Sequence, residues 1–348
     1  MKAILFCQNN YAFGILEPIK QELIKQNDEY IWYVKDKIAA DFPFKSDPYT
    51  TQVDDLILFL SDVIFVPGNE VPHYLRGLKT QIFHGLAGEK KGHFRIRHYF
   101  DLYLTQGPYF TNRFLELKNI HKDFDVIETG WPKLDIYGQS LSSFNDEKEE
   151  LLNKTKTKKI VLYAPTFSPK LTSAPFLKDE IVSLAQNKDY LILFKFHPLM
   201  ASELVETYKN IAKEIENVIY VEEKNIIKYL IVADLLISDT SSVVYEFLLL
   251  DKPVISFNSI STNISWNDVS EYTDLFKLVE INLTKDPFKK QRAYTNNQFH
   301  PYKDGKSAFR MVEAVKSYIA EHGVPEKRKI SFFRRMKVNS IFGKPSRK

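Results

Sequence analysis

Short apolar runs recur along this chain, and the stretches between them carry helical spacing. Met1–Cys7 (MKAILFC), Tyr30–Val34, Asp62–Val66, Lys79–Phe83, Leu102–Thr105 and Val126–Thr129 each have the length and composition of a buried strand, and Ile15–Gln26 repeats its apolar residues at helical intervals. A strand apolar throughout needs cover on both faces. βαβ units in a parallel sheet supply that cover with the intervening helices. The segment 140–158 is polar and charged, and a capped helix is expected within it. The alternation then restarts with Lys159–Ala164, Tyr190–His197, Val218–Val221, Leu235–Ser238 and Pro253–Phe257 as strands, and Asp179–Gln186, 242–250 and Ser307–Glu321 as helices. At 348 residues the chain is long for a single core. The expectation is therefore an α/β protein with two parallel-sheet domains facing a cleft, at 1–150 and 151–322, followed by a basic tail at 323–348. In such sheets ligands bind where the strands stop.

Several function classes drop out. A single cysteine, Cys7, excludes an internal disulfide and any multi-cysteine metal site, and its place in the first apolar run makes it a packed thiol. No GxGxxG follows the first strand and no GxxxxGK[ST] occurs, which disfavours dinucleotide dehydrogenases and P-loop NTPases. GxSxG and HExxH are absent as well, and the spacing of Asp62, Asp101 and Asp125 marks no metal site. The N-terminus lacks the apolar core of a signal peptide and no 18-residue apolar run occurs, so a cytoplasmic protein is expected.

Three strand ends carry unusual residues. At the first, Phe83-His84-Gly85 is followed by Gly88-Glu89-Lys90-Lys91-Gly92. An imidazole there can take a proton from an acceptor hydroxyl at neutral pH, with Lys90 and Lys91 as candidate acceptor contacts. At the second, Phe194-Lys195-Phe196-His197-Pro198 leaves a strand, and His197 can donate to a phosphate oxygen or offset leaving-group charge, with Lys195 beside it. The third is Ser238-Asp239-Thr240-Ser241-Ser242, where hydroxyls open a helix and make an anion site that suits a diphosphate without a metal. Glu246, about one turn further on, is a candidate contact for ribose hydroxyls. The blander readings are a turn histidine and an ordinary N-cap.

Taken in order, His84-Gly85 with Lys90-Lys91-Gly92, Gly130-Trp131-Pro132-Lys133-Leu134-Asp135, Tyr163-Ala164-Pro165-Thr166, Lys195-Phe196-His197-Pro198 and Ser238-Asp239-Thr240-Ser241-Ser242 resemble the signatures of the CDP-glycerol glycerophosphotransferase family. The resemblance covers roughly residues 80 to 260. It implies two Rossmann-like domains of the GT-B type, the first for the acceptor and the second for the nucleotide donor. It also implies a catalytic base at His84 and donor-phosphate contacts at Thr166, His197, Ser241 and Ser242. The expected reaction moves a polyol phosphate from a CDP-linked donor to a cell-envelope glycan or lipid-linked acceptor, with no tightly bound cofactor and no metal. Phe83 stands where the family usually has Trp, Thr240 replaces a common Tyr, and the large membrane-associating N-terminal extension of some members has no counterpart. The alternatives are a nucleotide-sugar glycosyltransferase of capsule or lipooligosaccharide synthesis, a nucleotide-sugar epimerase, and a non-catalytic nucleotide-binding protein.

The net charge of +4 is unevenly placed. Lys327–Lys348 holds nine Lys or Arg residues and no carboxylate; without them the chain has 39 basic and 44 acidic residues, so its body is about −5. An acidic body disfavours nucleic acid as a partner. The tail also carries Phe332, Phe333, Met336, Ile341 and Phe342, a mixture suited to the anionic inner face of the cytoplasmic membrane.

Overall fold

The computed structural model describes residues 1–86, 92–139, 141–223, 225–261 and 264–345. Two compact units emerge, one of Met1–Gln139 with Gln298–Lys348 and one of Ser140–Asn297.

The first unit contains β1 (Lys2–Cys7), β2 (Glu29–Val34), β3 (Tyr49–Thr50), β4 (Val63–Val66), β5 (Leu78–Gln81), β6 (Leu102–Thr105) and β7 (Asp125–Glu128). They form one sheet in the order β3-β2-β1-β4-β5-β6-β7, with every neighbouring pair parallel. The chain order reverses between β1 and β4, the topological switch point of a doubly wound sheet. Strands β4, β5 and β6 are buried at every position, as a sheet covered on both faces requires. Cys7 lies wholly inside, and burial pushes its thiol well up, which makes it a packing residue.

Strand β5 is less apolar than its neighbours. Lys79, Thr80 and Gln81 are buried, and each polar end finds a carbonyl: the Lys79 Nζ donates to Leu75 and Gly77, the Thr80 hydroxyl to Ile64. Burial holds the Lys79 ammonium down to about 8.

The second unit contains β8 (Lys159–Tyr163), β9 (Tyr190–Phe194), β10 (Val218–Tyr220), β11 (Leu235–Ser238), β12 (Val254–Phe257) and β13 (Asn267–Val269), in the order β10-β9-β8-β11-β12-β13, again all parallel. Counted from β8 this is the 3-2-1-4-5-6 arrangement of dinucleotide-type sheets. Its core gathers Val161, Tyr163, Ile192, Phe194, Leu235 and Ile237 with Phe196 and Tyr208. Strand β9 stops at Phe194, so Lys195, Phe196 and His197 belong to the loop beyond it.

The expected capped helix after residue 140 is present at Asn145–Thr155, but no side chain caps it. The helix Ser307–His322, expected in the second domain, groups with the first unit. Its place there has a physical cause in the Gly130–Asp135 segment. The Asp135 carboxylate accepts from the backbone N–H groups of Ser307 and Ala308, both at 2.8 Å, and so closes the free donors at the start of that helix. Arg310 donates to the Thr129 carbonyl and the Trp131 N–H donates to His300 Nε2. A Cβ on Gly130, whose φ is +87°, would lie 2.5 Å from Ser307 Oγ, and one on Gly138 would lie 2.2 Å from the Gly305 backbone. Only glycine lets the returning chain come this close.

The tail is ordered within the described residues. Arg328 bonds Asp101, Asp123 and the His98 carbonyl, and the helix Phe332–Phe342 buries Val338 and sets Phe342 edge-on to Phe6. No helix among the described residues is long and apolar enough to cross a membrane.

Candidate functional site

In the first unit the candidate residues stand at the carboxyl ends of the central strands. Past β5 the backbone turns at Phe83, whose φ of +62° is uncommon for a bulky residue. Phe83 is buried and stacks on His93 with ring centroids 5.1 Å apart. His84 follows on the surface. Its Nδ1 lies 3.1 Å from the Pro67 carbonyl oxygen, just after β4, and its ring stacks on Tyr11, just after β1. A carbonyl oxygen only accepts, so the neutral imidazole carries its proton on Nδ1. Nε2 then holds the lone pair, the atom a general base needs.

Two other side chains, the buried Gln106 and the partly buried His93, shape this end of the sheet and carried no sequence signal. The Gln106 amide donates to the Gly85 carbonyl and fixes the turn after His84. His93 is held neutral, its imidazole pushed down to about 3 by burial and then by the neighbouring His84 and Arg97. Lys90 and Lys91, the candidate acceptor contacts, lie outside the described residues.

In the second unit β8, β9 and β11 end side by side, and their loops bring Thr166, His197 and the 239–242 segment to one edge of the sheet. Asp239 organises that edge. Its carboxylate is fully buried and accepts from the Thr166 N–H at 2.8 Å, the Ser173 N–H at 2.9 Å and the Ser173 hydroxyl at 3.0 Å. Burial pushes this carboxyl up to about 6 although those three donors pull it down. Asp239 therefore fixes the loop that carries Thr166.

The hydroxyl cluster is partly committed to the fold. Thr240 accepts from the Ile260 N–H, and Ser241 Oγ accepts a long bond of 3.4 Å from the Val243 N–H. The helix that follows is short, Val243–Leu248, and Glu246 is buried within it rather than solvated. Lys195 is buried too, with its Nζ on the Phe196 carbonyl, and burial lowers its pKa.

His197 is exposed and stacks on Phe167, ring centroids 4.4 Å apart. The Leu199 N–H donates to its Nδ1 at 3.1 Å. That fixes the opposite tautomer from His84: Nδ1 keeps the lone pair and Nε2 carries the proton. Burial and then the Lys195 charge lower its pKa, so the neutral donor form is the resting one. No cluster of three or more His, Cys, Asp or Glu suited to a metal occurs among the described residues.

Two parallel-sheet domains of this order, each with a polar cluster at its strand ends, define the GT-B class of α/β proteins. A family model described as CDP-Glycerol:Poly(glycerophosphate) glycerophosphotransferase matches residues 78–261, and the chain belongs to that family. The teichoic acid ribitol-phosphate polymerase TarK of Staphylococcus aureus (strain NCTC 8325 / PS 47) is 28% identical over 292 residues, covering 74% of this chain and 55% of TarK. The chain thus spans about half the length of this relative. The wall teichoic acid polymerase TagF has a similar fold, with a TM-score of 0.69 at 18% identity over 92% of this chain and 89% of TagF's. A UDP-N-acetylglucosamine 2-epimerase shares it as well, with a TM-score of 0.63 at 15% identity over 95% and 98% of the two chains.

Proposed function

We propose that this chain transfers a polyol phosphate from a CDP-activated donor to a hydroxyl of a cell-envelope glycan or lipid-linked acceptor. The observation that carries the reading is the pair of opposite tautomers, a base nitrogen at His84 and a donor nitrogen at His197. His84 Nε2 takes the proton of the acceptor hydroxyl as its oxygen attacks the phosphorus that bears the polyol. A new phosphorus–oxygen bond forms there. The bond from that phosphorus to the bridging oxygen breaks, and CMP leaves with the negative charge. His197 Nε2–H, Thr166, Ser241 and Ser242 meet that charge with donors set in advance.

Family membership supports a CDP-linked donor, and two polyols, glycerol in the family description and ribitol in the name of TarK, frame the choice of head group. The proposed place of work is the cytoplasmic side of the membrane, with the basic tail against its anionic face and no nucleic acid involved. The test is CMP release from CDP-glycerol and CDP-ribitol with a lipid-linked glycan acceptor. Release that needs the acceptor supports polyol-phosphate transfer. Turnover of UDP-sugars instead moves the chemistry to glycosyl transfer, or to epimerisation when no acceptor is needed. Affinity for nucleotides with no turnover leaves a binding protein.

A further inference from the structure

The tail helix Phe332–Phe342 has two different sides. Val338 and Phe342 pack into the first unit's core. Phe332, Phe333 and Met336 are 67%, 81% and 56% exposed, an unusual cost for three large apolar side chains. Their spacing of three and four residues places them on one face. The rings of Phe332 and Phe333 meet edge to face at 5.9 Å, so they form one knob.

Beside this knob lies an open groove of about 490 Å³, lined by Glu70, Arg95, Arg97, Tyr99, Ser331, Phe333, Arg334 and Lys337. Its charge is lopsided, with three guanidinium groups and an ammonium against one carboxylate. That carboxylate is taken, since Glu70 pairs with Lys337 at 2.7 Å. Arg95, Arg97 and Arg334 form no ion pair with any of the described residues. Arg97 is held in place by the Gly92 and Arg95 carbonyls, and the Arg334 guanidinium lies 5.7 Å from the ring centre of Tyr99. The arrangement sets three guanidinium groups, paired with no carboxylate among the described residues, beside exposed aromatics.

We infer that this groove seats the phosphate of an anionic phospholipid while Phe332, Phe333 and Met336 enter the acyl boundary of the same leaflet. The combination selects the partner. Guanidinium forks match phosphate geometry, and an interfacial helix gains binding from apolar side chains that a purely electrostatic contact leaves unused. The inference deepens the membrane contact proposed above and does not depend on the donor.

The test is co-sedimentation of the full chain with vesicles of phosphatidylcholine alone and of phosphatidylcholine mixed equally with phosphatidylglycerol. Binding is expected only to the mixture. The pair Arg95→Gln with Arg334→Gln should weaken it roughly tenfold or more, and Phe332→Ser with Phe333→Ser by a comparable factor. The pair Arg335→Gln with Lys344→Gln removes the same charge outside the groove and should weaken binding less. Equal losses from the two charge pairs would leave only diffuse attraction and overturn the seat. Undiminished binding by the Phe pair would overturn insertion, as would equal binding to phosphatidylcholine alone. Each variant should keep the wild-type melting temperature and its stabilisation by CDP, so a failed donor reading is distinguishable from a failed membrane site. Met336→Ser repeats the insertion test with a milder change.

Discussion

His84 and His197 each stand in the loop beyond a buried parallel strand, one in each domain, yet their surroundings hold them in opposite tautomers, which suits them to the opposite work proposed above. His84 faces a carbonyl, from Pro67, and carries its proton on Nδ1 and its lone pair on Nε2. His197 faces an amide, from Leu199, and is left with a proton on Nε2. A single backbone group decides the matter in each case. Chemistry in such folds is thus set by which end of a peptide unit meets the ring, as much as by the residue that carries it.

The sharpest way to break this contrast is His84→Asn. It should lower the rate of transfer by about 10²–10⁴-fold while leaving the CDP-induced rise in melting temperature intact, measured by CMP release and thermal shift. Near wild-type turnover would remove His84 from the role of base. His197→Ala should act on both readouts, with CDP affinity by calorimetry and turnover each falling roughly 10- to 100-fold, as expected for a lost hydrogen bond to a charged group. A variant that binds CDP as well as the wild type would show that the second histidine does not face the donor.

Two smaller effects separate the domains by stability. Asp135→Ala leaves two helix-start donors uncapped in the first unit and should cost about 1–2 kcal/mol in chemical denaturation. Asp239→Asn should change the pH dependence of the second. The native Asp239 takes up its proton near pH 6, whereas in the unfolded chain it does so near ~3.9. The native state thus binds the extra proton in that window. Its stabilising share is complete below about pH 4 and is lost as the pH rises through about 6. The variant should flatten this fall, read as melting temperature against pH. Smallest of all, nitrogen-15 spectra of the neutral protein should show one histidine protonated at Nδ1 and another at Nε2; the same tautomer at both would dissolve the comparison.

How much of this could be read in the sequence depends on distance along the chain. The strand ends were legible because apolar runs stop abruptly at His84, His197 and Asp239. The partners that give these residues their character were not. Pro67 lies 17 residues before His84, and Thr166 and Ser173 lie 73 and 66 residues before Asp239. Asp239 sits in a row of hydroxyls, which read as an anion site, but a carboxylate buried at a strand end serves better as an acceptor for loop amides. In the sequence the Gly130–Asp135 motif resembles a family signature and shows no purpose. Its purpose is to receive residues more than 160 positions later, and no local pattern records that. The run Lys79–Phe83 differs: it reads as a buried strand although Lys79 is charged, and the two carbonyls that accept from the Lys79 Nζ are local, from Leu75 and Gly77.

The return of Ser307–His322 to the first unit also has a consequence for how the protein is made. The second unit is an insertion, continuous from end to end, so it can fold as soon as it clears the ribosome. The first unit begins earlier yet finishes later. Until residue 308 has emerged, Asp135 lacks the two amides it accepts from, and the clamp around Gly130 stays open. The part synthesised first is therefore the last to be completed. A stalled or nicked chain lacking its final stretch should leave the first unit, rather than the second, exposed to proteolysis.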